Sequence, residues 1–321
     1  MHPNKVIYFP YSNQDNPYNS LNQEIIKSLG YAIADIYQLR IGDLIRPHIV
    51  ITNWLESHCV ASNGRVKWIN TFKIFALLLF IACTRSKLIY VRHNYQPHGA
   101  KKLSLYLSKI IIRLQESLSY KKLTHLPNSK LPGYSYIPHP LYSEVLPLTE
   151  QGTLNGKFII IGAIERYKKV DEIIEHWPTT IPLTIAGKCD SPTYLSTLKE
   201  VSKRKGITLN IIDRRLSNNE IKQLLMSHST VVIAHDEHTA IVSGTYYLAK
   251  SSGCLTLSRR PHGPKDCVGD YIFHNLNNLQ PTIESILCAT SAGINRHDVF
   301  NDARIHYGKE AVSKYWLACL C

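Results

Sequence analysis

The stretch KFIIIGAIERYKKVDEIIEHWPTTIPLTIAGK, residues 157–188, decides the fold. It opens on KFIIIGAI (157–164), a continuous apolar run of the kind that a strand buried on both faces requires. KKVDEIIEHW (168–177) then reads as a helix, and IPLTIAGK (181–188) as a second apolar strand. Each strand carries a glycine near its carboxyl end, Gly162 and Gly187. Strand, helix and strand at this spacing make a parallel βαβ unit.

The same alternation extends outward. SPTYLSTLKEVSKRKG (191–206) is a helix closed by Gly206, and ITLNIID is a strand. SNNEIKQLLMSHS (217–229) is a helix with Ser217 and Glu220 at capping-box spacing. TVVIAHD is a strand, SGTYYLAKSSG (243–253) a helix and CLTLSR a strand. The first half alternates in the same way, with strands at KVIYFP (5–10), YAIADI, RPHIVITNW (46–54) and KLIYVRHN (87–94), and helices at 16–30, 67–83 and 101–122. LTHLPNS and YSYIPHPLY follow as short strands. The fold class is therefore α/β, with two doubly wound Rossmann-like domains expected to face each other across a cleft. The switch near 143–156 puts the first domain at 1–145 and the second at 146–300, with 301–321 a C-terminal helix free to return to the first.

With 321 residues the chain has room for two domains of about 150 residues each. Apolar content of 44% and charged content of 19% fit a folded protein and exclude collagenous, low-complexity and disordered classes. The net charge of +13 is uneven: residues 1–150 hold 17 Lys/Arg against 8 Asp/Glu, and the remainder 20 against 16. An anionic partner facing the first half follows. Eight cysteines show no CxxC pair and no zinc spacing, and the N-terminus has no signal-peptide apolar region. A reducing cytoplasm is the expected compartment. IFALLLFIACT (74–84), eleven uncharged residues, is too short to span a bilayer. It reads either as a core helix or as one lying on a membrane surface, flanked by Trp68, Phe72, Lys67, Lys73, Arg85 and Lys87. The basic stretch 101–122 likewise reads either as part of a docking face or as a surface helix with a buried Ile/Leu stripe.

In open α/β sheets ligands bind at the carboxyl ends of strands. The chemistry-bearing residues cluster at such ends: Asn53–Glu56, His93–His98, His139, Gly162–Lys168, Gly187–Lys188 and His235–Thr245. Ser243, Gly244 and Thr245 open a helix, where free amides and the helix dipole favour an anion, although a plain serine cap would look the same. Arg166, Lys168 and Lys188 put cations after strand ends, as a diphosphate clamp would, or as solvated turns do. Neither a GxxxxGK[ST] loop nor a GxGxxG fingerprint is present, and no DxD pair offers a metal-bridged site. HDEH (235–238) matches no standard zinc pattern, so no metal site is expected.

The order of motifs resembles GT-B glycosyltransferases: HN-x-x-PH (93–98), IPH-x-x-Y (137–142), G-x-I-x-x-YK (162–168), IAGK (185–188), then SG (243–244) before LA-x-x-x-G (248–253). The likeness is nearest to bacterial enzymes of exopolysaccharide and O-antigen assembly, of the xanthan-type mannosyltransferase kind. It implies an enzyme, a hexosyltransferase, that uses a UDP- or GDP-sugar, with no cofactor and no metal. Its acceptor would be a lipid-linked saccharide or polysaccharide at the inner face of the cell membrane, with the protein peripherally bound to that anionic surface. By the resemblance, Arg166, Lys168, Lys188 and Ser243–Thr245 hold the donor diphosphate, so Arg166, Lys168 and Ser243 must lie together. His93 and Glu56 are the candidate catalytic bases, and Asn53, Asn94, His98 and His139 line the acceptor side. Asn53 stands where relatives carry His, Glu165 where they carry Arg, Lys169 where they carry Gly, and Gly99 replaces a Glu. The E-x7-E signature of a large retaining group is missing, since Gly244 stands seven residues after Glu237, which leans towards inversion. A nucleic-acid-binding protein is the alternative from another class, but no HTH, RRM, KH or zinc pattern appears. A catalytically inactive GT-B-like protein is the other.

Overall fold

The computed structural model describes residues 5–12, 16–39, 41–43, 45–97, 99–127, 131–146, 154–235 and 240–321. The chain divides into two compact units, one of residues 1–140, 238–242 and 309–321, the other of 141–237 and 243–308.

The first unit is built on six parallel strands: β1 (Lys5–Phe9), β2 (Ala32–Ala34), β3 (Ile49–Asn53), β4 (Lys87–Arg92), β5 (Ser119–Thr124) and β6 (Ser135–Tyr136). Their order is β2-β1-β3-β4-β5-β6. The period-2 geometry of a strand splits their apolar side chains between two cores. Val6, Tyr8, Ile51, Ile89 and Val91 join one face, and Ile7, Val50 and Leu88 the other. Helices α1 (Tyr18–Ser28), α2 (Trp68–Cys83) and α3 (Lys102–Leu118) lie against the sheet. The helix expected over 101–122 stops at Leu118, because Ser119 turns extended and residues 119–124 pair with β4 as β5. Sheet pairing outweighs the local helical pattern there. Helix α2 is buried along one face and exposed along the other. Thr71, Ile74, Leu77, Leu78 and Ile81 are buried, while Trp68 (55%), Ile69 (74%), Phe72 (72%) and Leu79 (65%) face outward.

The second unit has β7 (Phe158–Ile161), β8 (Leu183–Ala186), β9 (Leu209–Ile212), β10 (Thr230–Ile233), β11 (Leu255–Ser258) and β12 (Asp270–Ile272). They are parallel in the order β12-β11-β10-β7-β8-β9. Around them lie α4 (Val170–His176), α5 (Pro192–Lys205), α6 (Asn218–Ser227), α7 (Gly244–Lys250), α8 (Leu279–Ser291) and α9 (Arg296–Tyr307). The capping box of α6 is present: the Glu220 amide donates to Ser217 Oγ at 3.3 Å and the Ser217 amide to Glu220 Oε2 at 2.8 Å. The order of strand addition reverses between β7 and β10, which makes their carboxyl ends the switch point of this sheet.

The C-terminal segment is two helices rather than one. Gly308 ends α9, and α10 (Lys309–Leu320) belongs to the first unit. A Cβ on Gly308 would meet the Arg304 carbonyl oxygen, so the break needs glycine. Trp316 anchors α10: its ring is fully buried and Nε1 donates to Asn22 Oδ1 of α1 at 2.7 Å. Truncating such a ring costs about 3–5 kcal/mol.

Candidate functional site

At the carboxyl edge of the second sheet, backbone comes first. Gly162 (φ +108) follows β7 and Gly187 (φ +151) follows β8, both in conformations that L side chains rarely adopt. A Cβ on Gly187 would overlap the Gly162 carbonyl oxygen, so the two strand ends touch through bare backbone. Gly162 is exposed, and two polar side-chain atoms converge on it. The position of its Cβ would lie 3.3 Å from Lys168 Nζ and 4.0 Å from Thr245 Oγ1. Lys168 closes a short 3-10 turn (Arg166–Lys168), and Lys169 (φ +54) turns the chain into α4. Burial lowers the Lys168 pKa from the ordinary lysine range, partly offset by Glu165. A cation held partly out of water interacts more strongly with an anion placed beside it.

Helix α7 and its cap supply Ser243, Gly244 and Thr245. Ser243 is buried and its amide is already engaged, donating to His262 Nδ1 at 3.2 Å. Gly244 is exposed, beside the Tyr142 hydroxyl. The far end of α7 is pinned by Lys250, 1% exposed, whose Nζ reaches Asp270 Oδ1 at 2.5 Å and the Val268 carbonyl at 2.7 Å. The helix is therefore tied down at both ends before any ligand arrives. Lys168 and Thr245 come together, and two other expected cations have partners of their own. Arg166 lies over the Tyr194 ring, 4.9 Å from its centroid. That ring is itself fixed by a 2.7 Å bond from its hydroxyl to Asp171. Lys188 is exposed and pairs with Asp213 at 3.4 Å.

The run after β11, SRRPH (258–262), contributes a residue that the sequence motifs did not single out. His262 is 1% exposed, and because Nδ1 accepts from Ser243, Nε2 carries the proton in the neutral ring and has no hydrogen-bond partner among the described residues. Burial, Arg260 and His235 push its pKa well below the ordinary value. Its place at the end of a central strand of the second sheet was the available signal.

At the carboxyl edge of the first sheet lies a cluster of rings. His93 follows β4, His125 follows β5, His139 follows β6, and Tyr18 opens α1. Trp54, held at φ +50, stacks on His93 with centroids 3.8 Å apart and planes 20° apart. A bulky residue in the left-handed region costs of order 1–3 kcal/mol, which neighbours must hold in place. His93 Nε2 sits 3.0 Å from Asn53 Oδ1, while Asn53 Nδ2 donates to the Phe9 carbonyl. With the amide so oriented, Nε2 carries the proton and Nδ1 keeps the lone pair. His125 donates from Nδ1 to the Ile137 carbonyl at 2.8 Å and accepts from the Tyr18 hydroxyl at 3.0 Å. His139 donates from Nδ1 to the Pro140 carbonyl at 2.7 Å. Burial pushes all three imidazoles down, His125 to about 4 and the other two well below their ordinary value. They are neutral at pH 7.

Glu56 lies elsewhere. It is fully buried, with Oε2 3.4 Å from both the Tyr90 hydroxyl and Gln115 Nε2, and burial raises its pKa. Asn94 forms an antiparallel bridge with Ala240, and the His93 carbonyl accepts from the Ile241 amide at 3.0 Å, so both are tied through backbone. His98 lies outside the described residues. Among the described residues, Cys267, Asp302 and His306 are spaced for an ion, but burial raises the Cys267 thiol pKa and keeps it protonated.

No protein-family model matches the chain, and no curated protein matches it. Solved structures do. HepE of Anabaena, determined with UDP and glucose, superposes at a TM-score of 0.62 with 12% identity, covering 98% of this chain and 99% of that one. A structure from a study of glycosyl transfer with retention by trehalose-6-phosphate synthase gives 0.63 with 10% identity and 98% of each chain. TarM of S. aureus, determined with UDP, gives 0.58 with 14% identity over 84% of this chain, which spans 55% of TarM. The fold is thus shared with GT-B glycosyltransferases: α/β, with two Rossmann-like units.

Proposed function

We propose that the protein is a glycosyltransferase that moves a hexose from a UDP- or GDP-sugar to a lipid-linked saccharide or polysaccharide, without a metal and with inversion. One observation carries this reading: Lys168 Nζ and Thr245 Oγ1 converge on the bare backbone of Gly162 at the switch point of the second sheet. A diphosphate placed there meets a partly desolvated cation, a hydroxyl and the start of α7. In transfer the bond between the anomeric carbon and the diphosphate oxygen breaks, and its electron pair leaves with the nucleotide. Lys168, Thr245 and the amides at the start of α7 stabilise that charge, the part a divalent ion plays elsewhere.

The acceptor belongs to the first unit. Of the two candidate bases, His93 is the stronger, because its Nδ1 keeps a lone pair and its ring is neutral. Glu56 has no exposed surface from which to reach a hydroxyl. His93 removes the acceptor hydroxyl proton as that oxygen bonds to the anomeric carbon from the face opposite the leaving diphosphate. His139 and Asn53 hold the surrounding ring cluster.

The outward face of α2 supports a peripheral place on an anionic inner leaflet. Trp68, Ile69, Phe72 and Leu79 offer apolar contact, and Lys73, with Lys67 at the N-cap, offers charge. No helix among the described residues is long and apolar enough to cross a membrane.

The test is turnover of UDP- and GDP-hexoses by the purified chain with and without EDTA, and the anomeric configuration of the product by NMR. Turnover that survives EDTA with an inverted anomer supports the reading. Loss of turnover in EDTA contradicts the metal-free mechanism, a retained anomer contradicts the role of His93, and no binding or turnover of either nucleotide sugar contradicts the assignment as a whole.

A further inference from the structure

Away from the carboxyl edges, three side chains of the second unit bring one ligand atom each to a common point. Cys267 Sγ, a carboxylate oxygen of Asp302 and a ring nitrogen of His306 all lie within 4.8 Å of one another. Asp302 and His306 stand at i and i+4 on α9, which puts them on one face a turn apart. Cys267 comes from the turn that leads into β12. That turn is fixed, since the Asp270 amide donates to the Cys267 carbonyl at 3.1 Å and Gly269 takes φ +77. Cys267 precedes β12, so the group lies at the amino edge of the sheet, whereas Gly162 follows β7 at the carboxyl edge. None of the chemistry assigned above uses these three residues.

An ordinary helix ion pair does not account for the spacing. His306 Nε2 and Asp302 Oδ1 are 3.7 Å apart, beyond the reach of a charged hydrogen bond, which closes to about 2.8 Å. Ligands bonded at about 2.0–2.3 Å to one tetrahedral centre lie roughly 3.4–3.6 Å apart. The surroundings hold the three groups in place. Asp302 Oδ2 accepts from the Val268 amide at 3.0 Å, which leaves Oδ1 on the His306 side. The Tyr307 hydroxyl lies 3.6 Å from Cys267 Sγ, within reach to donate to a thiolate. Outer partners of this kind orient metal ligands. The field also suits a cation. His306 is in the last turn of α9, where the helix dipole is negative, and the buried Lys250 that acts on Cys267 is paired with Asp270.

We propose that Cys267, Asp302 and His306 bind one zinc ion, with water as the fourth ligand. A thiolate and an imidazole beside a single carboxylate select a borderline ion of the zinc type over magnesium or calcium, which take oxygen. Asp302 and His306 are 21% and 35% exposed, so water reaches that side. Without the ion the Cys267 thiol keeps its proton. Binding exchanges the S–H bond for a sulfur–zinc bond, and the proton goes to solvent. The ion ties the turn before β12 to the last turn of α9. That turn also carries Tyr307, whose ring packs on Tyr246 and Tyr247 of α7. The role is structural, and the inference does not rest on the glycosyltransferase reading.

The test uses the full chain with the exposed Cys83, Cys288 and Cys321 changed to serine, so that surface thiols add no zinc. After dialysis against EDTA, this parent should take up one zinc ion per chain in competition with a chromogenic chelator. Its cobalt form should show a thiolate-to-metal charge-transfer band. Zinc at a hundredfold excess over Kd should raise Tm by about 5–10 °C. Cys267→Ser should lose the band. His306→Gln, at a partly exposed position that leaves the core intact, should bind zinc about a hundredfold more weakly, since even an outer partner is worth about 10–100-fold. A parent that binds no zinc overturns the inference. So does a Cys267→Ser protein that keeps the cobalt band, or a His306→Gln protein that binds zinc as the parent does. Absence of nucleotide-sugar turnover would count against the glycosyltransferase reading and leave the zinc site standing.

Discussion

The two sheet edges are built from the same topology and opposite chemistry. The first gathers neutral imidazoles, His93, His125 and His139, around Tyr18 and Trp54, with protons placed by Asn53, Ile137 and Pro140. The second gathers bare backbone, a partly desolvated lysine and the start of α7. The proposed reaction assigns proton removal to the first edge and the developing negative charge to the second. A reaction in which a hydroxyl loses a proton while a diphosphate departs needs one of each.

The sharpest way to break the contrast is His93→Ala. Transfer should fall by about 10²–10⁴, the usual worth of a general base, while nucleotide affinity stays at the wild-type value. An equal loss in nucleotide affinity would place His93 with the donor. Acid unfolding comes next. The folded-state pKa of His125 is lowered to about 4, so the fold favours the neutral ring. The unfolded ring takes up a proton near pH 6.5, so this contribution is complete above that pH and is lost as pH falls towards 4. At about 1.4 kcal/mol per unit, His125 alone accounts for about 3 kcal/mol. Denaturant midpoints measured from pH 7 to pH 4.5 should fall steeply, and His125→Gln should flatten that fall by about one proton. An unchanged slope would mean that the ring is charged in the fold.

The second edge has its own finer test. His262→Ala leaves the Ser243 amide without its acceptor and loosens the start of α7. The donor KM should rise roughly three- to tenfold with kcat near wild type, the range expected for one hydrogen bond. Lys188→Ala should change transfer by less than about twofold, because its cation serves an exposed pair with Asp213. A large effect there would return Lys188 to the donor site.

Most of the architecture was legible in the sequence. Continuous apolar runs such as FIII and TVVI have one stable use, a strand covered on both faces, and glycines at 162 and 187 mark where two such strands end in contact. The end of α3 was not legible, since SYKKLT carries no strong period and becomes a strand only because β4 offers it partners. Where several candidates lie was legible for the same reason: position after a strand put Lys168, Thr245, His93 and His139 at the carboxyl edges of the two sheets. It could not tell that Arg166 lies over Tyr194, that Lys188 pairs with Asp213, or that Glu56 is sealed beneath Tyr90 and Gln115. Those outcomes depend on neighbours far away in the chain. His125 and His262 were missed because a lone histidine after a short strand looks ordinary until its ring partners are in place.

In the proposed reaction the backbone at Gly162, with Lys168 and Thr245 beside it, receives the diphosphate of the donor. Calorimetric titration of UDP and GDP into the wild-type protein and into Lys168→Ala measures it directly. Wild type should bind one of the two saturably, and the variant should lose about ten- to a hundredfold in affinity, the worth of one charged hydrogen bond. Equal affinity in both proteins, or no binding of either nucleotide by wild type, would contradict it.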